Sequence, residues 1–313
     1  MSVFKNKGVR TNPSWTTRFW AVVKYELLWN IRKKKFLGMV IVAFVFATLG
    51  LALPVILGNV IGQPLSQNPD YAVNSGPGAF GFFLFALVTV MNSISGEFES
   101  GTIVPLLTKP VSRTMIFLGK LFAAFITLLS VYAVLYVYTT IGGTIVYGPQ
   151  NNLHLVPFSL LGSIISTLVW VAIVLAIGSI SKSSLIAALG AFGIFMALLI
   201  SAPIVSVFSD QAWILTYLPG NGATGNIEDL GKSVSTGTDN IAANLINYVL
   251  HPSSDVTFFK TGGFRLGQSS PMIELYVEPL SLVLLRSITV AATYILAFLF
   301  ISWYALKRAQ VLE

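Results

Sequence analysis

Few side chains in this sequence could do chemistry, and their spacing excludes more than it suggests. Cysteine is absent, which removes disulfides, thiolate metal sites and cysteine nucleophiles. The two histidines, His154 and His251, lack metal-ligand spacing and are most simply loop residues. The run Gly225–Ser233, GNIEDLGKS, approximates a phosphate-binding G-x-x-x-x-G-K-[ST] loop but places five residues between its glycines. That motif needs four, in one fixed backbone geometry after an apolar strand, and no such strand precedes it here. Two charged features remain. Arg286 stands inside an apolar run with Glu278 two turns earlier, close enough for a long side chain to reach. It therefore reads as an anchoring or outer-gate residue rather than a substrate contact. Glu97 and Glu99 stand at the end of another apolar run, where two acids ordinarily mark a helix end at a membrane interface.

The elements that must position these residues are dominated by hydrocarbon. Of 313 residues, 55% are hydrophobic and 10% charged, against about 25% charged in an ordinary soluble domain. Uncharged stretches long enough for about 20-residue spanning helices place six of them near 37–61, 78–95, 114–147, 155–180, 184–208 and 280–306. The expected fold is an all-α integral membrane protein with six transmembrane helices, an N-terminal interfacial amphipathic helix and a small external subdomain between the fifth and sixth helices. The domains are then 1–36, a basic cytoplasmic segment with the entry helix; 37–208, helices one to five with the loop 96–113; 209–279, the external subdomain; and 280–313, the sixth helix and a short cytoplasmic tail.

Orientation follows from lysine and arginine. Nine lie in residues 1–36, and Lys109, Arg113, Lys120, Lys182, Lys307 and Arg308 fall on the same side. The opposite loops hold only Lys232, Lys260 and Arg265, with seven acids in 209–279. The expectation is a multi-pass protein of the plasma membrane with both termini in the cytoplasm. The net charge of +7 is then a topology signal plus attraction to anionic lipids, and needs no nucleic acid. The lead-in before the first span is too long and polar for a cleavable leader.

Three pieces fall outside the spans. Over 13–35, Asn12-Pro13 reads as a helix start, and Trp20, Val23, Leu27 and Ile31 recur at helical spacing, flanked by Trp15, Phe19 and Leu28. Basic residues on the rest make this an interfacial helix. In the loop SGEFESGTIVPLLTKPVSRTMIFLGK, Thr102 can cap a short helix over 101–109. Pro110 ends it, and Ile103, Val104, Leu106 and Leu107 give it an apolar surface for a partner. In 209–279, Asp239 can cap a helix over 240–250, Val256–Thr261 and Phe264–Gln268 flank a hairpin at Gly262-Gly263, and Ile204–Leu218 can continue the fifth span as a folded-back helix. This subdomain is expected to sit over the span ends.

The run G-E-x-E-x-G-T-x-x-x-L-L-T-K-P-V-S-R followed by G-K, within Gly96–Lys120, resembles the second-to-third-span loop of the ABC type-2 permeases. The six-span order, basic entry helix and large fifth-to-sixth loop match that family in outline over the whole chain. The resemblance implies a permease subunit of an ATP-driven exporter that works with a separate cytoplasmic ATPase. It implies coupling roles for Glu97, Glu99, Gly101, Thr102, Ile103, Leu106, Leu107, Pro110 and Arg113, with Trp15, Trp20, Val23 and Leu27 on the interfacial helix. ATP and magnesium would belong to two copies of the partner ATPase, with no cofactor and no catalytic residue in this chain. A second permease subunit, identical or not, and membrane lipids complete the partners. The lack of fixed charge along the spans suits a hydrophobic or amphipathic cargo. Two other functions compete: an ATP-independent secondary transporter or channel, disfavoured by missing coupling-ion ligands and inverted repeats, and a membrane enzyme or assembly factor, disfavoured by the missing catalytic set.

Overall fold

A computed structural model describes residues 14–32, 34–62, 67–102, 111–227, 232–261 and 272–309. Helix α1 (Trp15–Arg32) leads into α2 (Lys34–Ile61), the first span. The short α3 (Tyr71–Asn74) precedes α4 (Gly78–Val90), which with a turn and α5 (Ser95–Glu99) makes the second span. The third, fourth and fifth spans are α6 (Arg113–Tyr147), α7 (Val156–Ser181) and α8 (Ser184–Phe208). After a subdomain containing α9 (Ile241–Leu250), the sixth span is α10 (Leu280–Arg308). Six helices among the described residues are long and apolar enough to cross a membrane, at positions within a few residues of those expected.

The spans are not equivalent. The most apolar window of the fourth span is 72% buried inside the protein and that of the first only 6%, so the fourth is the central post and the first lies at the rim. Around the post, Trp170, Phe83 and Phe195 meet ring to ring at 4.5–5.5 Å. Hydroxyls join the helices where lipid offers no water: Tyr132 to Thr167 at 2.6 Å, Tyr136 to Ser159 and Ser163 at 2.8 Å, and Ser179 to Ser302 at 2.6 Å.

The 209–279 subdomain adds strands to a helical membrane protein. Strands β1 (Thr224–Ile227), β2 (Lys232–Ser235), β3 (Asp255–Thr261) and β4 (Met272–Pro279) form an antiparallel sheet in the order β2-β1-β3-β4. The all-α expectation holds for the membrane protein, with the described strands confined to this subdomain. The phosphate-loop lookalike at 225–233 contributes strand residues on both sides of a hairpin. The hairpin expected at 256–268 takes its second strand from 272–279, further along the chain, because Ile273, Glu274, Leu275 and Val277 supply the strand alternation; residues 264–268 lie outside the described set. The fifth span stops at Phe208 and a separate 3-10 turn spans Ala212–Tyr217, so Ile204–Leu218 is not one helix.

The subdomain does not merely rest over the span ends. Helix α9 lies so close to the fourth span that a Cβ on Gly162 would meet the Cα of Ala242 at 2.4 Å. Ser166 Oγ donates to the Thr238 carbonyl at 2.7 Å, and Trp170 Nε1 reaches Asp239 at 3.0 Å. Trp170 is 14 residues into α7, about 21 Å along the helix. Irregular backbone at such depth is tolerated where protein encloses it, and Thr238, Asp239 and Asn244 are all buried.

Candidate functional site

The charges around the 96–113 loop each fasten a different helix. Lys120, two turns into the third span, places its Nζ 2.6 Å from Glu26 Oε1 on α1 and 2.6 Å from Glu97 Oε1 at the end of the second span. The Lys120 and Glu26 side chains are only 4% and 7% exposed. Burying charge is costly unless the partners are close, and here two carboxylates hold one ammonium, so three helices are pinned at one point.

Glu99 fastens a fourth helix. Its Oε1 accepts from Ser184 N–H at 2.7 Å and Ser183 Oγ at 3.0 Å, and its Oε2 from Ser184 Oγ. A carboxylate at the orphan N–H groups of the fifth span complements the positive end of that helix. The adjoining fourth-to-fifth turn is closed by Lys182 in the left-handed region (φ 54°), with its ammonium 5.7 Å from the centre of the Phe98 ring. Arg113 fastens the sixth span: its Nη1 donates to the carbonyls of Leu306, Lys307 and Ala309 at 3.2, 2.9 and 2.9 Å. These are the carbonyls a helix C-terminus leaves unpaired, and a cation there opposes the negative end of the helix dipole.

Gly101 has φ +68°, a left-handed conformation natural to glycine and costly to residues with a Cβ. Thr102 and Ser100 share a hydroxyl hydrogen bond at 2.9 Å. The apolar peg itself, with Ile103, Val104, Leu106, Leu107 and Pro110, lies outside the described residues.

Residues 15–32 of the expected entry segment form helix α1. Helix α1 packs along the third span through Val23, Glu26 and Asn30. Close contact there requires Gly119, whose Cβ would meet Val22 at 2.6 Å. Leu27 is half-buried, while Trp15, Trp20 and Ile31 are more than half exposed. Phe19 and Trp20 still touch Phe122, at 6.0 and 5.7 Å between rings. The start at Asn12-Pro13 falls outside the described residues. Sequence reasoning missed Glu26 and Lys120. The available signal was Glu26 as the only acid among the nine cations of residues 1–36.

A family model described as ABC-2 family transporter protein matches residues 20–221, about two thirds of the chain. The chain belongs to the ABC-2 transporter family. The matched region takes in most of α1, five spans and the Glu26–Lys120–Glu97 cluster. No curated protein matches the sequence.

Within this ABC-2 protein, a cavity of about 330 Å³ opens between the first three spans, at the low end of the size range of ligand pockets. Met39, Phe46, Leu84, Phe85 and Leu135 supply much of its wall. Tyr132 and Tyr136, which also line it, turn their hydroxyls to Thr167, Ser159 and Ser163. Ser75 and Thr139 likewise donate to main-chain carbonyls. The wall is thereby mostly hydrocarbon and ring faces.

At the far end, Asp239 corrects one expectation. It does not cap α9, whose N-cap is Asn240 without a side-chain bond; its Oδ1 accepts from Trp170 Nε1 instead. It thereby places a single carboxyl beside the span core. Burial pushes this carboxyl up to about 7, with the bonds from Trp170 and Thr238 pulling the other way. Arg286 does meet Glu278, with Nη1 donating to Oε1 at 3.1 Å and Nη2 to Oε2, and its guanidinium lies 5.8 Å from the centre of the Tyr217 ring.

Proposed function

We propose that this ABC-2 family protein is the permease subunit of an ATP-driven exporter, coupled through the loop 96–113 to a separate cytoplasmic ATPase. The observation that carries this reading is the clustering of Glu97, Glu99 and Arg113 around the loop. Through Lys120, Ser184 and the 306–309 carbonyls they tie α1 and the second, third, fifth and sixth spans to one place. A push on that loop would reach those helices together, as ATP-driven switching of a permease requires. ATP and magnesium would be held by the ATPase, in two copies, with this chain hydrolysing nothing. The exposed first span offers surface for lipid and for a second permease subunit. The hydrocarbon wall of the cavity between the first three spans favours a hydrophobic or amphipathic cargo. The basic end, carrying 1–36, 96–120 and the tail, would face the cytoplasm across the plasma membrane, with 209–279 outside.

Mass spectrometry of the mildly solubilised complex tests composition: an ATPase at two copies with two permease subunits is expected, and a permease purified repeatedly without any nucleotide-binding chain would overturn the reading. For topology, single cysteines replacing Ser253 and Ser100 meet no native thiol background. An impermeant reagent should reach the first from outside and the second only after permeabilisation.

A further inference from the structure

Asp239 belongs to no part of the coupling scheme, and its surroundings are those of a group that binds something small. It is 5% exposed. Its Oδ1 takes the Trp170 indole N–H at 3.0 Å and a longer contact from Thr238 Oγ1 at 3.5 Å, while Oδ2 has no hydrogen-bond partner. The main chain around it is closely wound: Asp239 N–H donates to the Gly220 carbonyl at 3.1 Å, and Gly222 (φ +72°) leaves no room for a Cβ against Thr236. Asp239 lines a cavity of about 10 Å³, room for about one water molecule. The cavity is walled by Trp170 of the fourth span, Phe195, Leu198 and Ala202 of the fifth, Ala79 of the second, and the 215–222 turn.

Among the described residues, no cation answers this carboxyl. Among the described residues lining the cavity, Asp239 is the only titratable one. From the third span the titratable neighbour is Tyr132, whose hydroxyl bonds Thr167. The sixth span, which also packs on the 238–240 turn, carries Arg286, which is engaged by Glu278. From α9 and its cap come the uncharged Asn240 and Asn244, which donate to the carbonyls of Asn221 and Ser235. An ionised Asp239 would be a buried charge without a counter-charge, costing far more than the neutral acid.

We propose that Asp239 is a proton-binding site that latches the 238–250 segment onto the fourth span. In the docked arrangement the carboxyl is the neutral acid. Undocking breaks the Oδ2–H bond heterolytically, the proton passes to solvent water, and the carboxylate is hydrated. The latch would make the contact between the subdomain and the central span respond to pH near neutrality, in the range where burial has moved this group. It would act on the opposite side of the spans from the ATPase-coupling charges and would not depend on them.

The test uses the full chain in lipid nanodiscs, with Asp239→Asn as the neutral isostere. Infrared difference spectra between about pH 5 and pH 8 should show a carboxylic-acid band that titrates in the native protein and is missing in the variant. Amide hydrogen exchange over 238–250, corrected for intrinsic exchange rates, should lose protection by up to about tenfold per pH unit between the ordinary carboxyl value of 3.8 and the docked value of about 7, and level off above it. Asp239→Asn should keep the low-pH protection throughout. Trp170→Phe removes a bond that lowers the affinity for the proton, so its midpoint should move upward, a readout that survives if the asparagine variant fails to fold. A carboxyl ionised at every pH, pH dependence unchanged in Asp239→Asn, or an unmoved midpoint in Trp170→Phe would overturn the proposal. Recovery of protection at pH 8 on adding sodium or potassium alone would also overturn it, assigning the site to a metal cation.

Discussion

The two ends of the molecule treat buried charge in opposite ways. At the basic end, Lys120 stands between Glu26 and Glu97, Glu99 meets the N-terminus of the fifth span, and Arg113 meets the C-terminus of the sixth. At the far end, Asp239 has one indole N–H, one long hydroxyl contact and, among the described residues, no cation. Compensated charges in a low-dielectric place hold helices together and make them move as one body. An uncompensated carboxyl makes docking conditional on its proton. The contrast sets an end held by compensated charge against an end held by an uncompensated carboxyl, and variants at each should behave differently.

The largest effect is expected for Lys120→Met, which strands Glu26 beside Glu97. Breaking a buried ion pair by removing one partner costs about 3–5 kcal/mol, readable as loss of thermal stability in detergent and a freed α1. Adding Glu26→Gln should recover part of that loss; no recovery would mean that the pair is not coupled. Arg113→Ala should cost about 1.5–3 kcal/mol, as for hydrogen bonds to a charged group, with faster amide exchange at 306–309. Gly162→Val, which drives side-chain atoms into Ala242, should cost about 1–3 kcal/mol as overpacking does and loosen 238–250 without disturbing the basic end. A pH arm isolates the far end. Asp239 has a folded value raised from 3.8 to about 7. Its contribution is therefore complete below the unfolded value and lost as pH rises through the folded one, so stability should fall from about pH 4 to pH 7. Asp239→Asn should flatten that slope and Lys120→Met should not. The smallest effect is Gly101→Ala, about 1–2 kcal/mol of local strain from a Cβ at positive φ, seen in coupling more than in global melting.

The spans were legible because each needs only a long uncharged run, and no partner has to be known to read one. The Arg286–Glu278 pair was legible because it is local. Glu26–Lys120 was not: its members lie 94 residues apart, and each alone looks like a solvated residue on a basic helix or a positive mark at a span end. The same distance problem hid the inward placement of Glu26 and Asn30 on α1. Asp239 before an apolar helix carries the pattern of an N-cap. Its bond to Trp170, 69 residues earlier, follows from the depth to which 238–250 descends along the fourth span. The strand at 272–279 was passed over for a nearer partner at 264–268, because loop length says little about which of two alternating segments will pair.

The central claim is that force enters this ABC-2 protein through the 96–113 loop. Its most direct measurement is ATPase turnover in vesicles holding this protein and the ATPase we propose it recruits, comparing the native chain with Leu106→Ser, Leu107→Ser. Burial of two leucines against the proposed ATPase would contribute roughly 3–6 kcal/mol, so the double variant should insert normally yet release the ATPase or lose its stimulation and transport. Full retention of partner, stimulation and transport by that variant would contradict the account.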